Sequence, residues 1–343
     1  MAVGLVKDLL YLEHVVDDYN PENPNRLRHI YSMLPSIDAD DVLYVTPRMA
    51  THEEIAFIHD IAYIESIART KGRHARLDPD TSASPRTYEA ALLAAGGCLS
   101  LADSILSGAA SSGFALVRPP GHHAERSRAM GFCIFNNIAV AARYLQLIKG
   151  LGRILIVDFD LHHGNGTQHS FYSDPSVLYF STHQFPYYPG TGWYEETGKG
   201  DGAGYTINIP MTYGMNDDDY VFAFEQVLVP VADLFRPGMV LVSAGFDTYH
   251  NDPLGGMSVT EGGYSAMTGI LLGIARKWCG SMALFALEGG YDPSGLASST
   301  KAVITAMKGR PAFEYERKGG PCRGIVDSVK SVKRVLSPYW GSF

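Results

Sequence analysis

Asp158, Asp160, His162 and His163 follow directly on an unbroken apolar run, Ile154–Val157. Such a run has the character of a strand buried on both faces of a parallel sheet. If the extended backbone continues, alternation places Asp158, Asp160 and His162 on one side. Carboxylates and imidazoles are costly to bury unless something binds them, and a divalent metal accounts for such a cluster at a strand's end. Asp247 closes a second apolar run, Val240–Ala244, after Gly245 and Phe246. The set Asp160, His162 and Asp247 supplies three ligands and leaves a coordination position open, as a catalytic metal requires. With no thiolate in it, the set suits Zn²⁺ and also Fe²⁺ or Co²⁺.

Two further motifs carry chemistry. His122 and His123 follow Pro119-Pro120-Gly121, where the prolines stiffen the approach and the glycine permits a tight turn. Adjacent histidines point in different directions, so one imidazole can take a proton from a metal-activated water and pass it to a leaving amine. Tyr291 follows Glu288-Gly289-Gly290 and is a hydroxyl donor for a developing oxyanion.

The elements that must position these residues are strands alternating with helices. Phe114–Val117, Ile154–Val157, Val177–Phe180, Val240–Ala244 and Ala283–Leu287 read as strands, each followed by polar or glycine-rich residues. Periodicity predicts helices over roughly 86–107, 136–149, 218–235 and 262–278. Asn136 suits an N-cap, and Pro237-Gly238 a stop before the next strand. Alternation of this kind means a parallel sheet with crossover helices, and ligands of such sheets bind beyond the carboxyl ends of the strands. Every chemically loaded motif stands at such an end, so distant segments are expected to converge on one pocket. The long segment 184–204, rich in glycine and aromatic residues, reads as a wall of that pocket.

The 343 residues are ample for a single large α/β domain, taken here as 1–343. The net charge of −8 (28 basic against 36 acidic residues) argues against direct nucleic-acid binding. Cys98, Cys133, Cys279 and Cys322 show no paired spacing, which predicts reduced thiols and a cytoplasmic protein. The N-terminus does not read as a signal peptide, and no apolar stretch reads as long enough to span a bilayer.

Arg118-Pro-Pro-Gly-His-His123, Gly131-Phe132-Cys133, Asp158-Phe-Asp160-Leu-His162-His163-Gly164-Asn165-Gly166-Thr167-Gln168, Gly245-Phe246-Asp247 and Glu288-Gly-Gly-Tyr291 together resemble the zinc-dependent histone deacetylase and acetylpolyamine amidohydrolase superfamily. Pro21-Glu-Asn-Pro-Asn-Arg26-Leu-Arg28 is similar to that family's N-terminal motif. The resemblance runs from about residue 20 to about residue 310. It implies the arginase/deacetylase fold, a single α/β domain with a mostly parallel eight-stranded sheet and helices on both faces.

It also implies roles. Asp160, His162 and Asp247 hold zinc. His122 and His123 do the acid–base work, with His123 the proton shuttle, and Tyr291 polarises the scissile carbonyl. Phe132 and Tyr188 flank a narrow channel for an acyl-lysine-like chain, lined also by Gly290, and the Gly131 carbonyl accepts the substrate amide N–H. A K⁺ ion sits near Asp158, with the carbonyls of Asp160 and His162 and the Ser181 hydroxyl. Phe171, Asp174, Val177 and Tyr205 occupy the positions of a second cation site.

Asn165 follows the class II pattern, where class I members carry Asp. A neutral partner does not raise the pKa of His123 as a carboxylate does, so His123 is expected neutral and His122 charged beside Asp158. Tyr291 stands where weakly active class IIa enzymes carry His, which points to an active hydrolase. Leu254 stands where polyamine-selective relatives carry a gatekeeper Glu, which points to a lysine-type or broad acyl substrate. Two alternatives remain open at this level: an acetylpolyamine or small acylated-amine hydrolase, and an acyl-lysine-binding protein without catalysis. A homo-oligomer meeting through the 184–204 segment is also open.

Overall fold

The computed structural model describes residues 2–16 and 20–343. Its centre is an eight-stranded, wholly parallel sheet built from β1 (Val3–Val6), β2 (Val42–Tyr44), β5 (Ser112–Ala115), β6 (Ile154–Asp158), β7 (Val177–Gln184), β8 (Thr206–Met211), β9 (Met239–Ala244) and β10 (Ala283–Leu287). The order across the sheet is β2-β1-β5-β10-β9-β6-β7-β8. A separate two-stranded ribbon pairs β3 (Ala75–Arg76) with β4 (Ser82–Ala83).

Two helical layers cover the sheet. Thr87–Leu106 and Asn137–Leu147 pack on each other and reach β1, β5, β9 and β10. Glu261–Trp278 and Pro293–Met307 pack on each other and reach β5, β9 and β10. Strands so enclosed have no solvent face, which is why β6, β9 and β10 read as continuous apolar runs. At the far edge, the amphipathic helix Arg323–Trp340 packs on β8 with Ile325, Val329, Val332 and Leu336 buried.

The expected helices are present, with boundaries shifted by a few residues. The Asn136 side chain accepts from the Ala139 backbone N–H, capping Asn137–Leu147. The stretch from Asp217 to Phe235 is helical throughout, with a π-helical turn at Phe224–Leu228, and stops at Arg236 in the left-handed region (φ 54°).

Three expectations need correction. The strand placed at Phe114–Val117 lies at Ser112–Ala115, so Leu116 and Val117 already belong to the approach to the histidines. Ser181, Thr182 and His183 do not follow β7 but lie inside it, because pairing with β8 carries the strand on to Gln184. Finally, Thr87–Leu106 is long and apolar enough to cross a membrane by length and composition, yet 78% of its most apolar window is buried within the domain. It is the helix that covers β1, β5 and β10.

Candidate active site

The order of the strands explains the convergence of the motifs. β5, β10, β9 and β6 are consecutive neighbours in the sheet, and neighbouring strands lie only about 4.8 Å apart. Their carboxyl ends lead into His122-His123, Glu288–Tyr291, Asp247 and Asp158–His163 respectively. Asp158 pairs in register with Ser243 of β9 on one side and Ser181 of β7 on the other.

Asp160, His162 and Asp247 come together, each offering one ligand atom within 4.8 Å of the others. His162 Nδ1 lies 3.2 Å from Asp160 Oδ1 and 3.0 Å from Asp247 Oδ2. The remaining carboxylate oxygens are held by the backbone: Asp160 Oδ2 accepts from Gly289 N–H at 2.8 Å, and Asp247 Oδ1 from Leu161 N–H at 2.9 Å. The cradle is tight. A Cβ at Gly289 would run into both carboxylates, and one at Gly245 into Asp160.

Both aspartates are fully buried, and neither forms an ion pair with Lys or Arg among the described residues. Burial and the Asp160 carboxylate push Asp247 up to about 7. Burial disfavours charge on His162, but the two carboxylates outweigh it and hold its pKa at about 9. Two carboxylates leaning on one imidazolium are short of positive charge, so the donor set fits a divalent cation.

The two adjacent imidazoles stand 4.0 Å apart between ring centroids, in opposite electrostatic settings. His122 Nδ1 is 3.1 Å from Asp158 Oδ2, and its Nε2 3.8 Å from Asp160 Oδ1. Burial opposes charge there, but Asp160 and Asp158 prevail and hold its pKa near 10. His123 is lowered well below the usual histidine range by burial and by the positive charges of His122 and His162. Its Nδ1 is 2.7 Å from Asn165 Oδ1.

Tyr291 comes in from the β10 end. Its backbone N–H donates to Asp252 Oδ2, which also receives Asp292 N–H, while Asp252 Oδ1 receives Leu254 N–H. Burial and the nearby Asp247 carboxylate raise the Tyr291 hydroxyl well above the phenol range, so it keeps its proton as a donor. Phe132 meets the Tyr291 ring edge-on at 6.0 Å, and Tyr188 meets the His123 ring edge-on at 5.2 Å. Tyr187, not singled out in the sequence, stacks on His162 at 5.5 Å and donates its hydroxyl to the Leu254 carbonyl. Thus the first part of segment 184–204 does face the site. The remainder folds back: Glu196 accepts from Gly192 and Trp193 N–H and from the Gln168 side chain.

Gly131 and Phe132 both have positive φ, 56° and 66°. Asp80 and Thr81, beside β4, hold that turn by accepting from Gly131 N–H and Phe132 N–H, each at 3.0 Å. Cys133 Sγ donates to the Gly131 carbonyl at 3.3 Å.

Ser181 Oγ is 2.8 Å from His183 Nδ1, beside Asp158. Phe171, Asp174, Val177 and Tyr205 meet away from the histidines, where the carbonyls of Phe171, Asp174 and Tyr205 receive the N–H groups of Asp174, Val177 and Tyr179. Arg143 lies over the Phe171 ring and pairs with Asp174 at 2.6 Å.

A second cluster, His122, Cys133 and Glu288, also brings donor atoms within 4.8 Å. Glu288 is engaged there as an acceptor for Gly121 N–H, His122 N–H and Ser243 Oγ, which fixes the histidine loop. Residues with no assigned role in the sequence complete the frame. Arg26 donates to the Gly290 and Glu288 carbonyls, lies 5.0 Å from the Tyr291 ring centre, and pairs with Glu22 at 2.9 Å. Arg118 grips the same carboxylate. In the sequence, Arg118 stands inside the motif read for its histidines, and Glu22 and Arg26 stand inside the Pro21–Arg28 segment that resembles the family's N-terminal motif.

Comparison with known proteins agrees with this geometry. A family model described as the histone deacetylase domain matches residues 20–307. A probable deacetylase of Archaeoglobus fulgidus is 34% identical over the whole of both chains. Histone deacetylase 15 of Arabidopsis thaliana and polyamine deacetylase HDAC10 of Danio rerio are each 40% identical over 94% of this chain. The chain spans 59% and 49% of those two longer relatives. The crystal structure of an HDA15 HD domain superposes with a TM-score of 0.92 at 38% identity, covering 99% of this chain and 96% of that one. With strand order, site and relatives in agreement, the chain belongs to the histone deacetylase domain family.

Proposed function

We propose that this chain is a zinc-dependent deacylase that hydrolyses the amide of acylated lysine side chains, releasing the free amine and a carboxylate. The observation that carries the reading is the pairing of a cation-deficient ligand set, Asp160, His162 and Asp247, with a neighbouring imidazole, His123, kept neutral. A metal held by that set supplies Lewis acidity toward the amide carbonyl and lowers the pKa of water.

The chain's own residues do the rest. His123 takes the proton of the attacking water and returns it to the departing amine. His122, charged against Asp158, holds positive potential beside the reacting carbonyl. Tyr291 donates its hydroxyl to the carbonyl oxygen as charge develops there. Phe132 and Tyr188 flank the acyl chain, Gly290 closes the wall beside Tyr291, and the Gly131 carbonyl accepts the scissile N–H. Asp158, the Ser181 hydroxyl and the carbonyls of Asp160 and His162 would hold a K⁺ ion, whose charge would steady the β6 end. Phe171, Asp174, Val177 and Tyr205 would hold a second, peripheral cation. Four unpaired thiols fit a reducing, cytoplasmic setting.

Hydrolysis of acetylated polyamines is the second reading, favoured by the kinship to a protein named polyamine deacetylase HDAC10. Leu254 opposes it, because its side chain gives a distant ammonium no carboxylate. An assay of metal-free protein reconstituted with zinc, iron or cobalt, run on acetyl-lysine peptide and on acetylputrescine, separates the two. Zinc-supported turnover with the peptide favoured by about tenfold or more in kcat/KM is the expected result; the reverse preference overturns the substrate assignment. Tyr291→Phe is expected to fold and bind metal normally while losing about 10²–10³ in kcat. Wild-type turnover in that variant overturns the role of the hydroxyl.

A further inference from the structure

A neutral histidine can act as a base only at the ring nitrogen that lacks the proton, and its other nitrogen's hydrogen bond decides which that is. His123 Nδ1 faces Asn165 at 2.7 Å. Asparagine alone settles nothing, because its amide can offer either the oxygen or the NH₂. With the oxygen toward His123, the proton sits on Nδ1 and Nε2 is free to accept. With the NH₂ toward His123, the proton moves to Nε2 and the base is blocked.

The next residue outward resolves this. Asn165 Nδ2 donates to Glu125 Oε1. An ionised carboxylate only accepts, so the NH₂ must face Glu125 and the oxygen must face His123. The other acceptors near Asn165 Nδ2 are weak: the His123 carbonyl at 3.4 Å and Met130 Sδ at 3.5 Å. Glu125 is itself anchored. His169 Nδ1 lies 2.8 Å from the same oxygen, the Glu125 carbonyl receives His59 Nδ1–H at 2.9 Å, and the Glu125 N–H donates to the Arg128 carbonyl at 2.9 Å. Asn165 is buried, whereas the Glu125 side chain is partly exposed, beside a small cavity also lined by Phe57, Arg126 and His169.

We propose that Glu125 is a positioning residue for catalysis: acting through Asn165, it fixes His123 in the tautomer whose Nε2 can accept a proton. This rests on the reading of His123 as the base. The site thereby gains the directing effect of a carboxylate without placing one against the imidazole.

Two measurements on the zinc-loaded protein test it. The first is the His123 tautomer from ¹⁵N-histidine spectra, assigned by the resonance lost in His123→Gln. The proton is expected on Nδ1 in the wild type and at least partly on Nε2 in Glu125→Leu. A wild-type proton on Nε2, or an unchanged tautomer in Glu125→Leu, overturns the proposal. The second is kinetic. Glu125→Leu is expected to lose about 10–100-fold in kcat with little change in KM, the range typical of outer-sphere partners. Asn165→Asp, which has only oxygens to offer, should restore most of that loss when added to Glu125→Leu. Wild-type kcat in Glu125→Leu, or no rescue by Asn165→Asp in a folded, zinc-replete protein, also overturns it. The tautomer is read without turnover, so a mistaken base is recognised separately, by a His123→Ala enzyme that keeps its rate.

Discussion

Two clusters of buried charge meet on opposite sides of the Glu288–Gly290 backbone, which Arg26 and Asp160 both hydrogen-bond, and they are built differently. Around Glu22, one carboxylate is gripped by Arg118 and Arg26, with His14 Nε2 3.5 Å away. Burial would raise Glu22, yet the guanidinium of Arg118 holds it well below the usual carboxylate range. Around Asp160 and Asp247, two fully buried carboxylates share one imidazole and no guanidinium. The first cluster carries its own counter-charges, and its remaining donors support the Glu288 and Gly290 carbonyls. The second sets two carboxylates against one shared imidazole, with only the His122 ring, 3.8 Å from Asp160, as further positive charge beside them. Burying charge is costly unless it is compensated, so the comparison separates a frame complete in itself from a site that a cation completes.

The sharpest break of that comparison is Asp247→Asn. As Asp247 is a proposed zinc ligand, the loss is expected to exceed the roughly 10–100-fold cost of outer partners and to abolish stoichiometric zinc binding, read by metal analysis and turnover. The metal-free variant should nonetheless be no less stable than metal-free wild type, because it removes a carboxylate that Asp160 repels. Lower stability of the metal-free variant in urea would show that the two carboxylates were never in conflict. Glu22→Gln tests the other side. It leaves two buried guanidiniums without their carboxylate, at a cost of about 3–5 kcal/mol in folding stability. Zinc stoichiometry of the folded protein should be unchanged. A stability loss under 1 kcal/mol by denaturant titration would mean that the frame is not held by this cluster.

The sequence exposed the second cluster better than the first, for a physical reason. The candidate metal donors stand at or just beyond strand ends after apolar runs, and β6, β9 and β10 are apolar except for Asp158 and Ser243 because both faces are covered. β8 escaped notice because Thr206, Asn208 and Pro210 break its apolar pattern, and a proline is tolerated near a sheet's edge. β1 and β2 are too short to announce themselves, so the eight-strand count came from family resemblance rather than from periodicity. Gly113 hid the true start of β5. Arg26, Asp252 and Glu125 could not be singled out by spacing, since each acts on a segment remote in the chain or through a second residue. Tyr187 was overshadowed by Tyr188, yet the two rings face the imidazoles of His162 and His123.

The smallest effect sharpens the comparison through pH. His183 is a third kind of buried group, neither paired nor short of a partner but neutral by construction. Its Nε2 donates to the Gly192 carbonyl at 2.7 Å, and burial lowers its pKa to about 4. A histidine in the unfolded chain titrates near 6.5. Between those values the unfolded state binds the extra proton, so the stability His183 contributes is intact above about pH 6.5. It is lost as pH falls toward 4, by an amount on the order of 2–3 kcal/mol. Asp247 in the metal-free protein has the opposite sign. Its folded pKa of about 7 lies above the unfolded value near 3.9, so the folded state holds the extra proton and stability falls as pH rises through that window. Urea midpoints of metal-free protein, taken from pH 4.5 to 7.5, should therefore respond oppositely to two substitutions. His183→Gln removes part of the loss on acidification, and Asp247→Asn removes part of the loss on approaching neutrality. Parallel pH profiles for wild type and both variants would show that neither group is perturbed in the folded state, and the distinction between a neutral frame and a cation-deficient site would lose its electrostatic basis.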